Sequence, residues 1–482
     1  MRDALATAKD ANSLIRSKTR HEVRALAVLA GPMMVTQLSQ MGMSTADALM
    51  AGRVGAVDLA AVSIGSNLFW PILLLMSGTL LAVTPTISQL RGAGRVPETG
   101  AVVRQAAWIA LVGAMLGVAI MWNARFVFEW IGVDATVAPV ASEFLRAQCL
   151  GLFGMLGFFL LRYLCEGMAW VRPAMLVALS ALCIKVCLNY ILVFGAWGNE
   201  PLGGIGCGVS TALVVSYQFL ALGVIVRFSH MRRTGVFDRF NLPNFEMLRK
   251  LLTLGIPIGL SIFCEVAFFS GVGLLIGRLG AEAIAGHQIA MIVGGLAFMI
   301  PLALGQATTI RVGAYVGGRR LDRARNAARV SLLTATTIAC ASAVTLILGR
   351  HFIAGLFSSD AGLTEVAATL LIMCGMFQVF DAINIVAMGA LRGYKDTRLP
   401  MLLSVFAYWM VGMPVGVYLA FGGPGLDGLG VIGFWIGLVI GLVTGSLLVS
   451  FRLYLISGNP ERVLSKAEPQ QERAPEWHES RT

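Results

Sequence analysis

Four ionisable side chains stand where only apolar ones are cheap. Asp47 sits in Ser44-Thr45-Ala46-Asp47-Ala48, and Lys185 one turn before Asn189 in an apolar run. Glu265 sits in Ile262-Phe263-Cys264-Glu265-Val266-Ala267-Phe268, and Asp381 in Gln378-Val379-Phe380-Asp381-Ala382-Ile383-Asn384. A charge inside a long apolar stretch is costly and usually serves an ion, a proton relay or a partner charge. Glu265 has no hydrophilic neighbour, so its ionised form needs a cation or a donor to meet it. That is the chemistry of a proton or cation carrier. Asp47 reads as a cation- or proton-binding carboxylate or as a wetted helix end. Asp381 reads as a second carrier carboxylate grouped with Glu265, or as a structural partner of Gln378 or Asn384. Lys185 shares a helix face with Asn189 and lies too deep to snorkel. Its natural partner is Asp47, in an ion pair that is structural or part of an ion site.

The elements that must position these groups are transmembrane helices. The chain has 482 residues, 57% apolar and 13% charged. Soluble domains carry about 45–50% apolar and about 25% charged residues, and a globule of this length could not cover its surface with so few charges. Apolar runs of about 20 residues recur along the whole chain. They predict an all-α polytopic membrane protein with spans near 25–49, 57–84, 101–123, 138–165, 172–195, 206–228, 249–276, 284–310, 326–348, 365–391, 399–421 and 430–455.

Basic residues set the expected orientation. Connections after even-numbered spans, counted with the span ends, hold most of them, including Arg91, Arg95, Arg162, Arg232, Arg233, Arg319, Arg320, Arg392 and Lys395. Those after odd-numbered spans hold Arg53, Arg125, Arg146, Arg278 and Arg350. Basic connections stay in the cytoplasm, which puts both termini inside. The formal net charge of +11 is mostly this bias and not a nucleic-acid surface. Residues 1–24 are basic with no early apolar core, so they read as a cytoplasmic tail and not as a cleavable signal. Residues 457–482 are polar, with Pro460, Pro469 and Pro475, and read as a disordered cytoplasmic tail.

The chain also contains itself twice. Pro32 to Gly52-Arg53-Val54-Gly55-Ala56 repeats as Pro257 to Gly277-Arg278-Leu279-Gly280-Ala281, at an offset of 225. Pro173 and Gly195 recur as Pro400 and Gly422, at an offset of 227. Each half holds an even number of spans, so both enter the membrane in the same direction. Such parallel repeats are a transporter architecture with the substrate site between halves. The expected units are an N-lobe over 25–228, a cytoplasmic linker over 229–248 and a C-lobe over 249–456.

Other chemistry is poorly represented. The 8 cysteines lie in or beside apolar segments without a CxxC pair, so neither a disulfide nor a metal site is expected. There is no Walker motif, and Gly204-Ile205-Gly206-Cys207-Gly208 reads as an outer turn because no strand precedes it. No catalytic set clusters at one interface, so no enzyme is expected.

Several stretches resemble the multidrug and toxic compound extrusion (MATE) family, closest to its NorM branch. They are Ala46-Asp47-Ala48-Leu49-Met50-Ala51-Gly52, Gln89-Leu90-Arg91-Gly92-Ala93-Gly94-Arg95, Leu202-Gly203-Gly204-Ile205-Gly206-Cys207-Gly208, Phe263-Cys264-Glu265-Val266, Gly286-His287-Gln288 and Leu391-Arg392-Gly393-Tyr394-Lys395-Asp396. The resemblance implies twelve helices in two six-helix lobes and export of cationic or amphipathic drugs against inward sodium or protons. It implies no cofactor beyond Na+ or H+ as coupling ion. The expected surroundings are small-molecule drugs and membrane lipids, for a monomer in the bacterial inner membrane. By motif, Asp47 looks like the first-lobe coupling carboxylate, and Glu265 and Asp381 look like a second-lobe cation site able to take Na+. Lys185, Asn189, Phe377 and Gln288 are the supporting positions. Two of them depart from the NorM pattern: Phe377 stands where that branch has Tyr, and Lys185 where it has Asn. The Lys185 ammonium would then fill first-lobe space otherwise open to a cation. The alternative expectation is a lipid or lipid-linked-sugar flippase of the same broad superfamily, which would use basic cavity residues for phosphate.

Overall fold

The computed structural model describes residues 2–198, 200–423 and 427–467. Twelve long helical elements follow in order among the described residues: α1 Arg2–Val54, α2 Ala56–Gly92, α3 Val96–Trp122, and α4, which is Val137–Cys149 continued by Leu152–Gly167. Then come α5 Arg172–Phe194, α6 Gly204–Phe228, α7 Phe245–Leu279, α8 Ala281–Gly317, α9 Leu321–Leu348, α10 Ala361–Gly393, α11 Arg398–Phe421 and α12 Val431–Ser457. This is an all-α polytopic membrane protein built as two lobes, α1–α6 and α7–α12.

Most spans match the apolar runs, and the differences have physical reasons. α4 is not one straight helix but bends by 47°. The bend lies beside Gly151, where any Cβ would come within 2.7 Å of the Ala212 backbone on α6. α1 continues back to Arg2 within the expected tail, and Glu22 and Leu26 near the end of that tail are already buried. α7 begins at Phe245, earlier than expected, because Asn244 caps it by accepting from the Met247 N–H at 3.1 Å. The linker before it is strapped to α3, where Gln105 Nε2 donates to the Leu242 carbonyl at 2.8 Å and Trp108 Nε1 to Asn241 at 3.1 Å. The expected disorder after 457 is corrected for Pro460–Ala467, which is helical: Pro460 suits a first helical position and Val463 packs into the second lobe. Residues 468–482 lie outside the described residues.

The repeat is visible in backbone conformation. α2, α4, α8 and α10 all end in a left-handed residue: Gly94, Ala169, Arg319 and Lys395. In each case the following N–H reaches back to the last turn, from Arg95 to Leu90, Trp170 to Cys165, Arg320 to Tyr315 and Asp396 to Leu391. Gly94 and Arg319 are 225 apart, and Ala169 and Lys395 are 226 apart. The residues before α6 and α12, Gly203 and Gly430, have φ of 56° and 58°.

The described contacts between lobes gather on the side of the membrane that holds the chain termini. Gly78 of α2 meets Gly259 of α7, where a Cβ on Gly78 would lie 2.7 Å from the Gly259 Cα. The end of α2 packs on the end of α8, with Gly92 against the Ala314 carbonyl and Gly317 against that of Gln89. Gln89 Nε2 donates to the Gly393 carbonyl at 2.9 Å. Arg311 of α8 grips Glu22 of α1 through both carboxylate oxygens, at 2.8 and 2.6 Å. Leu26, Leu29 and Met33 of α1 pack with Leu304 and Ile310 of α8 in one buried cluster. The lobes are therefore sealed on the termini side.

Candidate functional site

In the first lobe, α1, α5 and α6 bring Asp47, Lys185 and Asn189 together. Lys185 is 1% exposed, and its Nζ lies 2.8 Å from Asp47 Oδ1. The same ammonium donates to the Cys207 carbonyl at 3.0 Å, to Ser210 Oγ at 2.8 Å and to Thr211 Oγ1. Asn189 Nδ2 donates to Asp47 Oδ1 at 2.7 Å, and Ser210 Oγ donates to Asn189 Oδ1. Four oxygens thus surround one tethered cation, which is how a small monovalent ion is held. Asp47 is a paired carboxylate and not a wetted helix end. It also lines a cavity of about 50 Å³ with Gln40, Ser66 and Trp70.

Between the lobes lies a larger cavity of about 480 Å³. Glu265 and Asp381 line it, with Phe377 and Trp435 from the same lobe. Gln40, the repeat counterpart of Glu265, lines it from the first lobe, so this cavity and the Asp47 cavity share a wall. Asp381 is buried, and its Oδ1 has no hydrogen-bond partner among the described residues. Its sequence neighbours are engaged elsewhere: Gln378 Nε2 donates to the Gly294 carbonyl at 2.5 Å and Asn384 Nδ2 to the Tyr408 hydroxyl at 2.7 Å. The reading of Asp381 as a structural partner of those two is therefore corrected. Asn384 Oδ1 is also without a partner among the described residues. Two carboxylates lining one largely apolar cavity can take up a proton or a small cation.

The sequence as a whole supports the same grouping. A family profile described as MatE matches twice, over residues 32–191 and 257–418. The multidrug resistance protein MdtK of Yersinia enterocolitica is 36% identical over 449 residues, covering 92% of this chain and 98% of that protein. The chain belongs to the MATE family. Among solved structures, the eukaryotic MATE transporter AtDTX14 superposes with a TM-score of 0.84 at 21% identity, covering 94% of this chain and 99% of that one. A MATE family transporter of the MOP superfamily, in an outward-facing conformation, gives 0.82 at 20% identity, covering 91% and 96%. At these identities the structures show the fold.

Within this MATE fold, two expected supporting positions separate. Phe377 lines the cavity, with its ring 5.6 Å from Phe269 and 6.2 Å from Trp435, so it supplies a wall and no oxygen. Gln288 is exposed on α8 and does not line the cavity, because its helix turns Gly286, His287 and Ile289 inward instead.

Sequence reasoning missed three features of the site. Arg162 and Arg392, counted among the basic connections, are buried and line the inter-lobe cavity. Arg162 pairs with Glu166 at 2.6 Å, an i,i+4 spacing that was readable. Tyr408 is presented by a π-helical stretch, Phe406–Gly412, and no sequence pattern announces that register.

Proposed function

We propose that this MATE protein is a secondary antiporter. It exports small cationic or amphipathic compounds across the bacterial inner membrane in exchange for Na+ or H+. The curated relatives are named as multidrug resistance proteins. With both termini in the cytoplasm, the seal described above is cytoplasmic, so this conformation faces outward. The observation that carries the reading is the placement of Glu265 and Asp381 in an apolar cavity between two lobes.

The chain's own groups supply the coupling. Outward-facing, the two carboxylates take the coupling ion from outside. Their negative charge, which holds the cationic drug, is then neutralised and the drug leaves. Rocking of the lobes breaks the Arg311–Glu22 grip and the α2–α8 contact and opens the other side. There the ion departs and the ionised carboxylates receive the next drug. Only a difference in drug affinity between ion-bound and ion-free states lets an ion gradient drive export.

Arg162 and Arg392 are the observation in favour of the flippase alternative, since they could meet a lipid phosphate. Expression in cells stripped of their own exporters separates the two. Drug export requires that the chain confer ethidium resistance and that Glu265→Gln or Asp381→Asn remove it. Full resistance in both variants would overturn the reading. Loss of lipid transfer with drug resistance intact would establish the flippase.

A further inference from the structure

A separate cavity of about 610 Å³ lies at the span ends on the termini side. The start of α7 and the α10–α11 connection wall it, with Thr86 of α2 and Val102 of α3 from the first lobe. Its cations, Arg249, Lys250, Lys395 and Arg398, outnumber its acids, Glu246 and Asp396. Each acid already has a cation. Glu246 pairs with Lys250 at 2.8 Å, and Asp396 pairs at 2.7 Å with Arg452, which stands outside the cavity. Lys395 is half-buried. Burial, and then repulsion by Lys250, push its amine down to about 8, so the charge it meets among the described residues is of its own sign.

The hydroxyl beside these cations is idle. Thr397 is 6% exposed and lines the cavity, and its Oγ1 has no hydrogen-bond partner among the described residues. A threonine just before a helix normally caps it by accepting from a first-turn N–H. Thr397 stands just before α11 and makes no such bond. A buried hydroxyl left unpaired among cations fits a site whose acceptor comes from outside the chain.

The repeat isolates the feature. At the offset of 226, Lys395, Asp396 and Thr397 correspond to Ala169, Trp170 and Val171. Val171 is buried in an apolar cluster, and Trp170 meets His230 edge-on at 4.5 Å. The second lobe has polar groups where the first is packed shut. Lys395 also holds φ at 57°, a conformation that costs any residue with a Cβ.

We propose that this cavity binds the phosphate of an anionic phospholipid. The phosphate oxygens accept from Lys395, Arg398 and the Thr397 hydroxyl. The acyl chains lie along α11, where Leu399, Leu402 and Phe406 are exposed on the turns that follow. Phosphatidylcholine carries the same phosphate, but its ammonium would meet these cations, so a headgroup of net negative charge is selected. The site is independent of what the inter-lobe cavity carries.

The test places the full chain in nanodiscs of phosphatidylcholine, alone or with phosphatidylglycerol. Acylation of Lys395 is read by mass spectrometry at pH 8, the midpoint of its amine. Phosphatidylglycerol should slow it about tenfold, because an ammonium paired with a phosphate is held protonated. Thr397→Val changes no charge and should remove most of that protection, as should Arg398→Gln. Absence of protection in wild type overturns the proposal. Protection undiminished in Thr397→Val is general attraction to a charged surface and overturns it too. Equal protection by millimolar inorganic phosphate in phosphatidylcholine discs overturns the lipid and assigns the cavity to a free anion. Should the variants not fold, wild type alone decides. Native mass spectrometry should retain phosphatidylglycerol on the chain in preference to phosphatidylcholine, and equal retention overturns the site.

Discussion

The Lys185 ammonium lies 2.8 Å from Asp47 Oδ1, and oxygens of Cys207, Ser210 and Thr211 complete its surroundings. A side-chain ammonium thus sits inside a cage of first-lobe oxygens. Asp47 is neutralised from within its own lobe, which leaves Glu265 and Asp381 as the carboxylates facing the central cavity.

Replacing Lys185 by Asn empties that cage while keeping a polar side chain. Sodium should then bind the first lobe, and drug transport by Lys185→Asn should gain a sodium dependence that wild type lacks or has more weakly. Sodium titrations of transport rate in both proteins check this. Superimposable titrations would sink the idea of an internal cation.

Removing one partner of a buried pair is far worse than removing both. Lys185→Met leaves the Asp47 carboxylate facing an apolar group and should cost about 3–5 kcal/mol of stability. Adding Asp47→Asn should recover most of that cost. A double-mutant cycle on thermal unfolding in detergent measures it, and additive losses would mean that the two residues act independently.

Under the proposed rocking mechanism the termini-side seal opens in every cycle. A Cβ on Gly313 of α8 would lie 3.0 Å from Ser88 Cβ of α2, a few tenths of an ångström from disulfide range. With the exposed Cys183, Cys187 and Cys340 changed to serine, Ser88→Cys with Gly313→Cys should cross-link on mild oxidation. Transport should stop, and a reductant should restore it. Transport by a fully cross-linked protein would exclude rocking of the lobes at this contact.

Lys395, in the connection between α10 and α11, gives a pH-dependent signature. Burial, and then the Lys250 ammonium, push its amine down from 10.5 to about 8. Below pH 8 both folded and unfolded chains carry the proton and the penalty is complete. Between pH 8 and 10.5 the unfolded chain binds a proton the folded one lacks, so stability rises with pH across that window. Acylation of Lys395, followed by mass spectrometry, should show a midpoint near 8 and move upward in Lys250→Ala. A midpoint at the ordinary lysine value would contradict this.

The sequence announced the site unevenly, for physical reasons. Glu265, Asp381 and Asp47 were legible because a carboxylate is costly in an apolar run and rarely stands there without a task. Depth and a shared lobe named Asp47 as the natural partner of Lys185, but the pairing itself was not legible until the structure placed the two 2.8 Å apart. Arg162 and Arg392 were not legible. They lie near the ends of α4 and α10, where a residue in a wetted connection and one turned into a cavity have the same sequence signature. Gln288 failed in the opposite sense: its motif was recognisable, but the helix face it occupies is set by packing. The bend of α4 depends on the contact of Gly151 with α6, which lies 61 positions away in Ala212. The duplication was legible from spaced Pro and Gly residues because those types fix backbone conformation, and the paired left-handed residues carry the same signal into the fold.

Glu265 and Asp381 are the groups proposed to couple drug export to an ion gradient. The direct measurement is ethidium transport in proteoliposomes with a sodium gradient and a pH gradient imposed separately, for wild type and Glu265→Gln. Wild type should transport under at least one gradient, and Glu265→Gln under neither. Sodium drive at equal pH would mean that the two carboxylates hold sodium without a tyrosine at Phe377; drive by pH alone would make them proton carriers. Wild-type transport indifferent to both gradients, or undiminished in Glu265→Gln, would contradict coupling through this pair.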